Sequence, residues 1–140
     1  MLQMDVSFFL KNNSPQGNVS AIDFSKLNTA LVKHRCGSLF NNQLHPTEWL
    51  DFLTTIQKVA ISESPARIPI LYGIDSMHGA NYVLGATSFP HHIGGAGSFN
   101  PELIQREAAI TAKDTRVVGI PWVFSPLLEI SHNPLWPRSK

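Results

Sequence analysis

Cysteine is all but missing: Cys36 is the single one in 140 residues. That excludes an internal disulfide and any zinc site built from thiolates. A lone cysteine beside an apolar run reads as a small core residue, although Arg35 and His34 stand next to it. Charge is scarce too, at 15% of residues, and 11 basic against 10 acidic side chains leave a formal net charge of +1. The basic residues form no run and no interleaving with aromatics, so neither nucleic acid nor an anionic membrane surface is indicated as a partner. No stretch approaches the ~20 apolar residues of a membrane span. The opening Met-Leu-Gln-Met-Asp-Val-Ser-Phe-Phe-Leu has neither the basic start nor the apolar length of a signal peptide. Asn12-Asn13-Ser14 and Asn18-Val19-Ser20 match the N-glycosylation acceptor pattern and hint at a secretory parent.

What is present is an apolar fraction of 43% in a length suited to one domain. Residues 1–30 are polar and rich in turn formers, with Pro15 and Gly17 marking a loop. Phe24, Leu27, Ala30 and Leu31 have the spacing of a short helix, and Cys36–Phe40 reads as a first strand. The clearest helix follows: Trp49, Phe52, Leu53, Ile56 and Ala60 make one stripe, with Pro46 in the first turn and Glu48 at the positive end of the dipole. It is expected to stop between Ser62 and Pro65. Ile68–Ile74 then reads as a strand buried on both faces, halted at Asp75. A long glycine-punctuated loop runs to Phe99. Asn100-Pro101-Glu102 opens a second helix lined by Ile104, Ala108, Thr111, Ala112, Thr115 and Val118, and Ile120–Phe124 is a third strand.

Alternating helices and strands imply a parallel sheet with right-handed crossovers. The pattern leaves a doubly wound sheet and a (β/α) barrel equally open. Ser125–Lys140 holds three prolines and no further helix. Three parallel strands expose their edges, so the chain is expected to be a fragment of something larger, prone alone to aggregation or a molten state.

Parallel α/β folds put functional groups where strands end, which singles out Asp75 as a substrate-binding carboxylate, a metal ligand or a cap on the next turn. His78, His91 and His92 invite a metal reading, but their spacing matches no recurring ligand set. Gly94-Gly95-Ala96-Gly97 lacks the lysine of a phosphate loop and does not directly follow a strand. Ser76 and Ser125 lack the elbow context of a nucleophile. Arg138, taken alone, is a solvated tail residue; paired with Asp75 it supplies a planar donor for sugar oxygens where Asp75 accepts from sugar hydroxyls. Trp122, Phe124 and Trp136 offer apolar faces nearby, with core packing as the other role of the first two.

The run Ile68-Pro69-Ile70-Leu71-Tyr72-Gly73-Ile74-Asp75-Ser76-Met77-His78-Gly79-Ala80-Asn81-Tyr82-Val83 closely resembles the β-glucosidases of glycoside hydrolase family 3. So do Phe99–Leu103, Ile110–Arg116, Gly119–Pro126 and Asn133–Arg138, and the likeness is nearest to lysosomal-type or secreted eukaryotic members. The resemblance implies the N-terminal part of a (β/α)8 TIM-type barrel, with about three parallel strands and their helices. It implies retaining hydrolysis of a β-glucoside or oligosaccharide, no cofactor and no metal, and a secreted or lysosomal parent. It assigns Asp75 and Arg138 to the sugar in the −1 subsite and gives His78 and Gly79 the shaping of the loop.

Retaining hydrolysis needs a nucleophile and an acid/base carboxyl about 5–5.5 Å apart. In the family these come from later segments that find no match here. Glu48, Asp51, Glu102, Glu107 and Asp114 are placed on helices, while Asp5, Asp23 and Glu63 are read as peripheral and Glu129 matches no catalytic position. The expectation is therefore a partial barrel over residues 1–140, lacking the rest of the barrel and the second domain, with no catalytic residue of its own and no hydrolase activity. A non-catalytic sugar-binding or interaction fragment is the alternative.

Overall fold

The computed structural model describes residues 2–127 together with Asn133 and Leu135. Four strands, β1 (Gln3–Asp5), β2 (Ser38–Phe40), β3 (Leu71–Ile74) and β4 (Trp122–Val123), form one sheet. Every neighbouring pair is parallel, and the order in the sheet is the order in the sequence. The crossovers carry α1 (Phe24–Asn28), which runs on into a π turn over Thr29–Lys33, then α2 (Pro46–Ser62), and finally α3 (His92–Gly97) with α4 (Pro101–Val117). A doubly wound sheet reverses direction at a switch point. Here each strand is added on the same side, which is the progression of a (β/α) barrel.

The described sheet thus has four strands where the sequence led us to expect three. β1 escapes the pattern because it is three residues long and two of them are Gln3 and Asp5. Its position is set by its neighbour, through the pairs Gln3↔Ser38, Met4↔Leu39 and Asp5↔Phe40.

Residues paired across parallel strands share a face. Met4, Leu39 and Tyr72 therefore form one row, and Asp5, Phe40, Gly73 and Trp122 form the row on the opposite face. The first face meets α2. The Tyr72 ring stands edge-on to Trp49 at 5.5 Å and to Phe52 at 6.5 Å, and all three side chains are buried. Fully burying side chains of this size contributes about 1.5–3 kcal/mol each. Trp49, Phe52, Leu53, Ile56, Val59 and Ala60 make the buried stripe of α2, as its periodicity leads one to expect. The helix opens with Pro46, and Glu48 folds back so that Oε2 accepts from His45 N at 3.1 Å. Cys36 lies in the same core, its thiol donating to the carbonyls of Leu2 and Ser38, and burial pushes the thiol up.

α4 is packed differently. Asn100 Oδ1 caps it by accepting from Leu103 N at 2.9 Å, and Gly119 at φ +88° follows its end. Yet Thr115 is the one buried residue along its length. Ile104, Ala108, Thr111 and Ala112 instead border a cleft of about 510 Å³ that reaches Val123 and Leu127.

Two strands are shorter than their apolar runs. Ile68 is exposed, and Ile70 is engaged from the side: Gln57 Nε2 donates to its carbonyl at 2.7 Å and Gln57 Oε1 accepts from its N–H at 2.9 Å. An α2 side chain, not a neighbouring strand, satisfies the backbone there. Ile120 N likewise donates to Thr115 O, the end of α4, so β4 starts only at Trp122. Within the glycine-rich stretch the chain winds one further short helix, α3, which a run containing Gly94, Gly95 and Gly97 conceals.

Candidate functional site

Asp75 follows Ile74, the last residue of β3, at the carboxyl end of the sheet. Alternation along the strand turns it to the Gly73 side, opposite α2. The ladder extends to its doorstep, since Phe124 N donates to Ile74 O at 2.9 Å. Asp75 is half-buried. With the Asn81 amide turned so that its nitrogen faces the neighbouring carbonyls, it donates to the Asp75 backbone carbonyl at 3.3 Å, but no described residue donates a hydrogen bond to the Asp75 carboxylate. It is therefore not serving as a cap, unlike Asp5 and Asp23, whose carboxylates accept from Ser7 N, and from Ser25 N and Lys26 N. A strand-end carboxylate to which no described residue donates is suited to hydroxyl groups of a ligand.

The aromatic rings beside it belong to the same face. Trp122 and Phe124 meet edge-on at 4.8 Å, and Phe124 meets Phe40 at 6.5 Å. All three are half-buried, and Trp122 and Phe124 cover Gly73 while keeping some apolar surface exposed.

The loop after Asp75 is braced. Phe89 N donates to His78 O at 3.0 Å, and His78 Nδ1 lies 3.2 Å from Phe89 O. Gly79 has φ +79°, and a Cβ there would collide with the Thr87 carbonyl and the Phe89 ring. His78 and Gly79 thus shape the loop. Farther on, Tyr82 O accepts from Leu44 N at 3.2 Å and from Trp49 Nε1 at 3.1 Å, which ties the loop to the start of α2.

The other candidates resolve in the same way. The His78, His91 and His92 rings lie in a row with centroids 5.5 and 5.6 Å apart. Among the described residues no three of His, Cys, Asp and Glu form a metal-binding group. Gly94, Gly95 and Gly97 sit inside α3, where Gly95 N is taken by His91 O, so they make no open phosphate loop. The Ser76 and Ser125 hydroxyls are buried along the α4 cleft, without the triad partners that a nucleophile needs. Arg138, Trp136 and Glu129 lie outside the described residues.

Sequence reasoning misses Asp5. The sequence makes it peripheral, but it closes β1 at the carboxyl end of the sheet, on the face Asp75 shares. Its Oδ2 accepts from the Asn41 amide. Tyr82 feels both acids: burial first, then the charges of Asp75 and Asp5, push its phenol up. An acid two residues before the serine whose N–H it caps is the available signal.

Residues 13–140 match the family model described as the glycosyl hydrolase family 3 N terminal domain. The chain belongs to glycosyl hydrolase family 3. It is 41% identical, over 146 aligned residues and 99% of its length, to a lysosomal beta glucosidase of Dictyostelium discoideum. It is 25% identical over 103 residues, 74% of its length, to a periplasmic beta-glucosidase of Salmonella typhimurium. These alignments cover 18% and 12% of the two relatives. The crystal structure of an exo-1,3/1,4-beta-glucanase (Q683A mutant) from a Pseudoalteromonas species superposes with a TM-score of 0.68 at 27% identity, covering 90% of this chain and 19% of that one. The family 3 chain thus spans less than a fifth of the relatives it matches, and its sheet is part of their (β/α) barrel.

Proposed function

We propose that this family 3 chain supplies part of the −1 sugar subsite of a retaining β-glucosidase, while the nucleophile and the acid/base lie outside it. Asp75 accepts hydroxyls of the sugar, and Arg138 donates to the same ring. Residues 1–140 then form one partial barrel domain that needs the remainder of the barrel and a second domain for chemistry. The substrate class is a β-glucoside or β-linked oligosaccharide, and the compartment of the parent is lysosomal or secreted. The names of the relatives support both.

The observation that carries this reading is the carboxylate of Asp75, to which no described residue donates, half-buried at the end of β3 beside half-buried aromatic rings. Sugar sites pair such acceptors with apolar faces, because a pyranose offers hydroxyls at its edge and C–H groups on its faces. The remaining described acids favour a binding role over chemistry. Asp51 lies on α2, and Glu102, Glu107 and Asp114 lie on α4. Glu48 serves the start of α2 and Glu63 accepts from Asn28 at 2.7 Å, while Asp5 and Asp23 cap turns.

Incubation of the purified chain with an aryl β-glucoside tests the assignment. No release of the aryl alcohol above the uncatalysed rate is expected. Turnover that disappears when a single Asp or Glu of this chain is replaced would overturn it.

A further inference from the structure

The stretch between β1 and α1 carries two triplets of the N-glycosylation acceptor pattern, Asn12-Asn13-Ser14 and Asn18-Val19-Ser20, and the Asp75 site uses neither. The fold treats them differently. We infer that Asn18 is an N-glycosylation site of the chain and that Asn12 is not. The inference rests on the reading of the parent as lysosomal or secreted, because the modification belongs to that route.

The acceptor pattern requires a hydroxyl two residues after the asparagine. At Asn18 the two groups meet. Ser20 Oγ donates to Asn18 Oδ1 at 2.7 Å, and Ser20 N donates to the same oxygen at 3.1 Å. At Asn12 they part. Ser14 Oγ donates to Gln16 O at 2.7 Å, and Ser14 N donates to Lys11 O at 3.2 Å. Pro15 follows directly and favours the extended backbone that Ser14 adopts, φ −58° and ψ 138°. The hydroxyl that the pattern calls for is thus against the carboxamide at one triplet and committed elsewhere at the other.

The fold also has room for the product. Asn18 and Ser20 are exposed, while Val19 between them packs against the core, so the triplet is anchored with its acceptor outward. Asn18 Nδ2 has two hydrogens to give. One goes to Glu48 Oε1 at 3.1 Å, and no described residue accepts the other. A glycan replaces a single hydrogen, so the modified asparagine keeps its bond to Glu48 and the start of α2 stays tied to this loop. A surface segment fixed at its middle residue suits a bulky, solubilising group.

The step is a glycosyl transfer. A carboxamide nitrogen is a weak nucleophile, because its lone pair is shared with the carbonyl. Two donors on Oδ1 draw charge to the oxygen and make the Nδ2–H more acidic, so that a base can take the proton. The contact spans three residues and needs none of the remaining fold. Nδ2 then bonds to the anomeric carbon of an oligosaccharide carried on a lipid diphosphate. The anomeric C–O bond breaks, its electron pair leaves with the diphosphate, and the proton stays on the base. The secretory route supplies the lipid-linked oligosaccharide, and its transferase supplies the base.

The test is expression of the 140-residue chain behind a cleavable secretory leader in eukaryotic cells, with intact mass measured before and after peptide N-glycosidase. One N-glycan per chain is expected, and peptide mapping is expected to place it on Asn18. Asn18→Gln and Ser20→Ala are each expected to abolish it, whereas Ser20→Thr and Asn12→Gln are expected to keep it. Transfer needs the route and not the finished fold, so secreted and retained chains are both measured and a misfolded variant still reports. An unmodified native chain, a glycan that survives Asn18→Gln, or one mapped to Asn12 overturns the assignment. Because the leader supplies the route, none of these outcomes depends on the compartment of the parent. The compartment reading fails instead if the parent, isolated from its own cells, carries no N-glycan while the leader-bearing chain does.

Discussion

The ring of Phe124 fills the space that a side chain at Gly73 would need: a Cβ on Gly73 would stand 2.5 Å from Phe124 Cε1 and 3.1 Å from Trp122 Cε3. Gly73 is the middle of β3 and pairs with Trp122 of β4, so the two aromatics lean over a strand with no side chain on that face. This is how two bulky rings reach the same small area as Asp75. Gly73→Ala is expected to push Phe124 off its edge-on contact with Trp122, costing about 1–3 kcal/mol in urea unfolding. The near-ultraviolet signal of Trp122 should change with it. An unaltered spectrum and unaltered stability would show that Phe124 moves freely and does not define the site.

The two long helices differ in how much core they own. α2 buries six residues against the sheet, whereas α4 buries Thr115 and turns the rest of its stripe to an open cleft. Local stability follows buried apolar contact. Hydrogen exchange is therefore expected to be slowest in α2 and β3 and faster along the first three turns of α4. Equal protection of the two helices would contradict this.

These contrasts mark where the sequence is readable. α2 is legible because its apolar stripe and its packing coincide: Trp49, Phe52, Leu53, Ile56 and Ala60 repeat at the helical period and all are buried. The same stripe in α4 names the helix correctly but not its environment, since periodicity records which face is apolar and not what covers it. β1 and α3 are illegible for opposite reasons. β1 is too short and polar to carry a period of two, and it exists through its partner Ser38–Phe40. α3 is built across glycines that propensity assigns to loops. Asp75 is visible as the residue that ends an apolar run. Asp5 is not, because a strand of three residues gives no run to end.

Glu48 gives the chain a definite response to acid. Its carboxylate accepts from the Asn18 amide at 3.1 Å and from His45 N at 3.1 Å, and these bonds hold its pKa below the ordinary glutamate value. A carboxyl depressed in the folded state contributes stability that is present above its unfolded pKa and lost as pH falls through the folded one. Native stability should accordingly fall as pH drops through and below the usual Glu value of roughly 4.3. Glu48→Gln should flatten the part of that drop due to this group, read as Tm against pH. An identical profile in the variant would show that the start of α2 does not depend on the charge.

The central claim is that Asp75 binds sugar. Calorimetric titration of the 140-residue chain with glucose, native against Asp75→Ala, tests it most directly. A hydrogen bond to a charged acceptor is worth about 1.5–3 kcal/mol. Native binding is therefore expected near the millimolar range, and the variant is expected to weaken it by at least about tenfold, a change of about 1.4 kcal/mol, with an unchanged Tm. Native and variant chains that bind glucose with the same affinity would contradict the account.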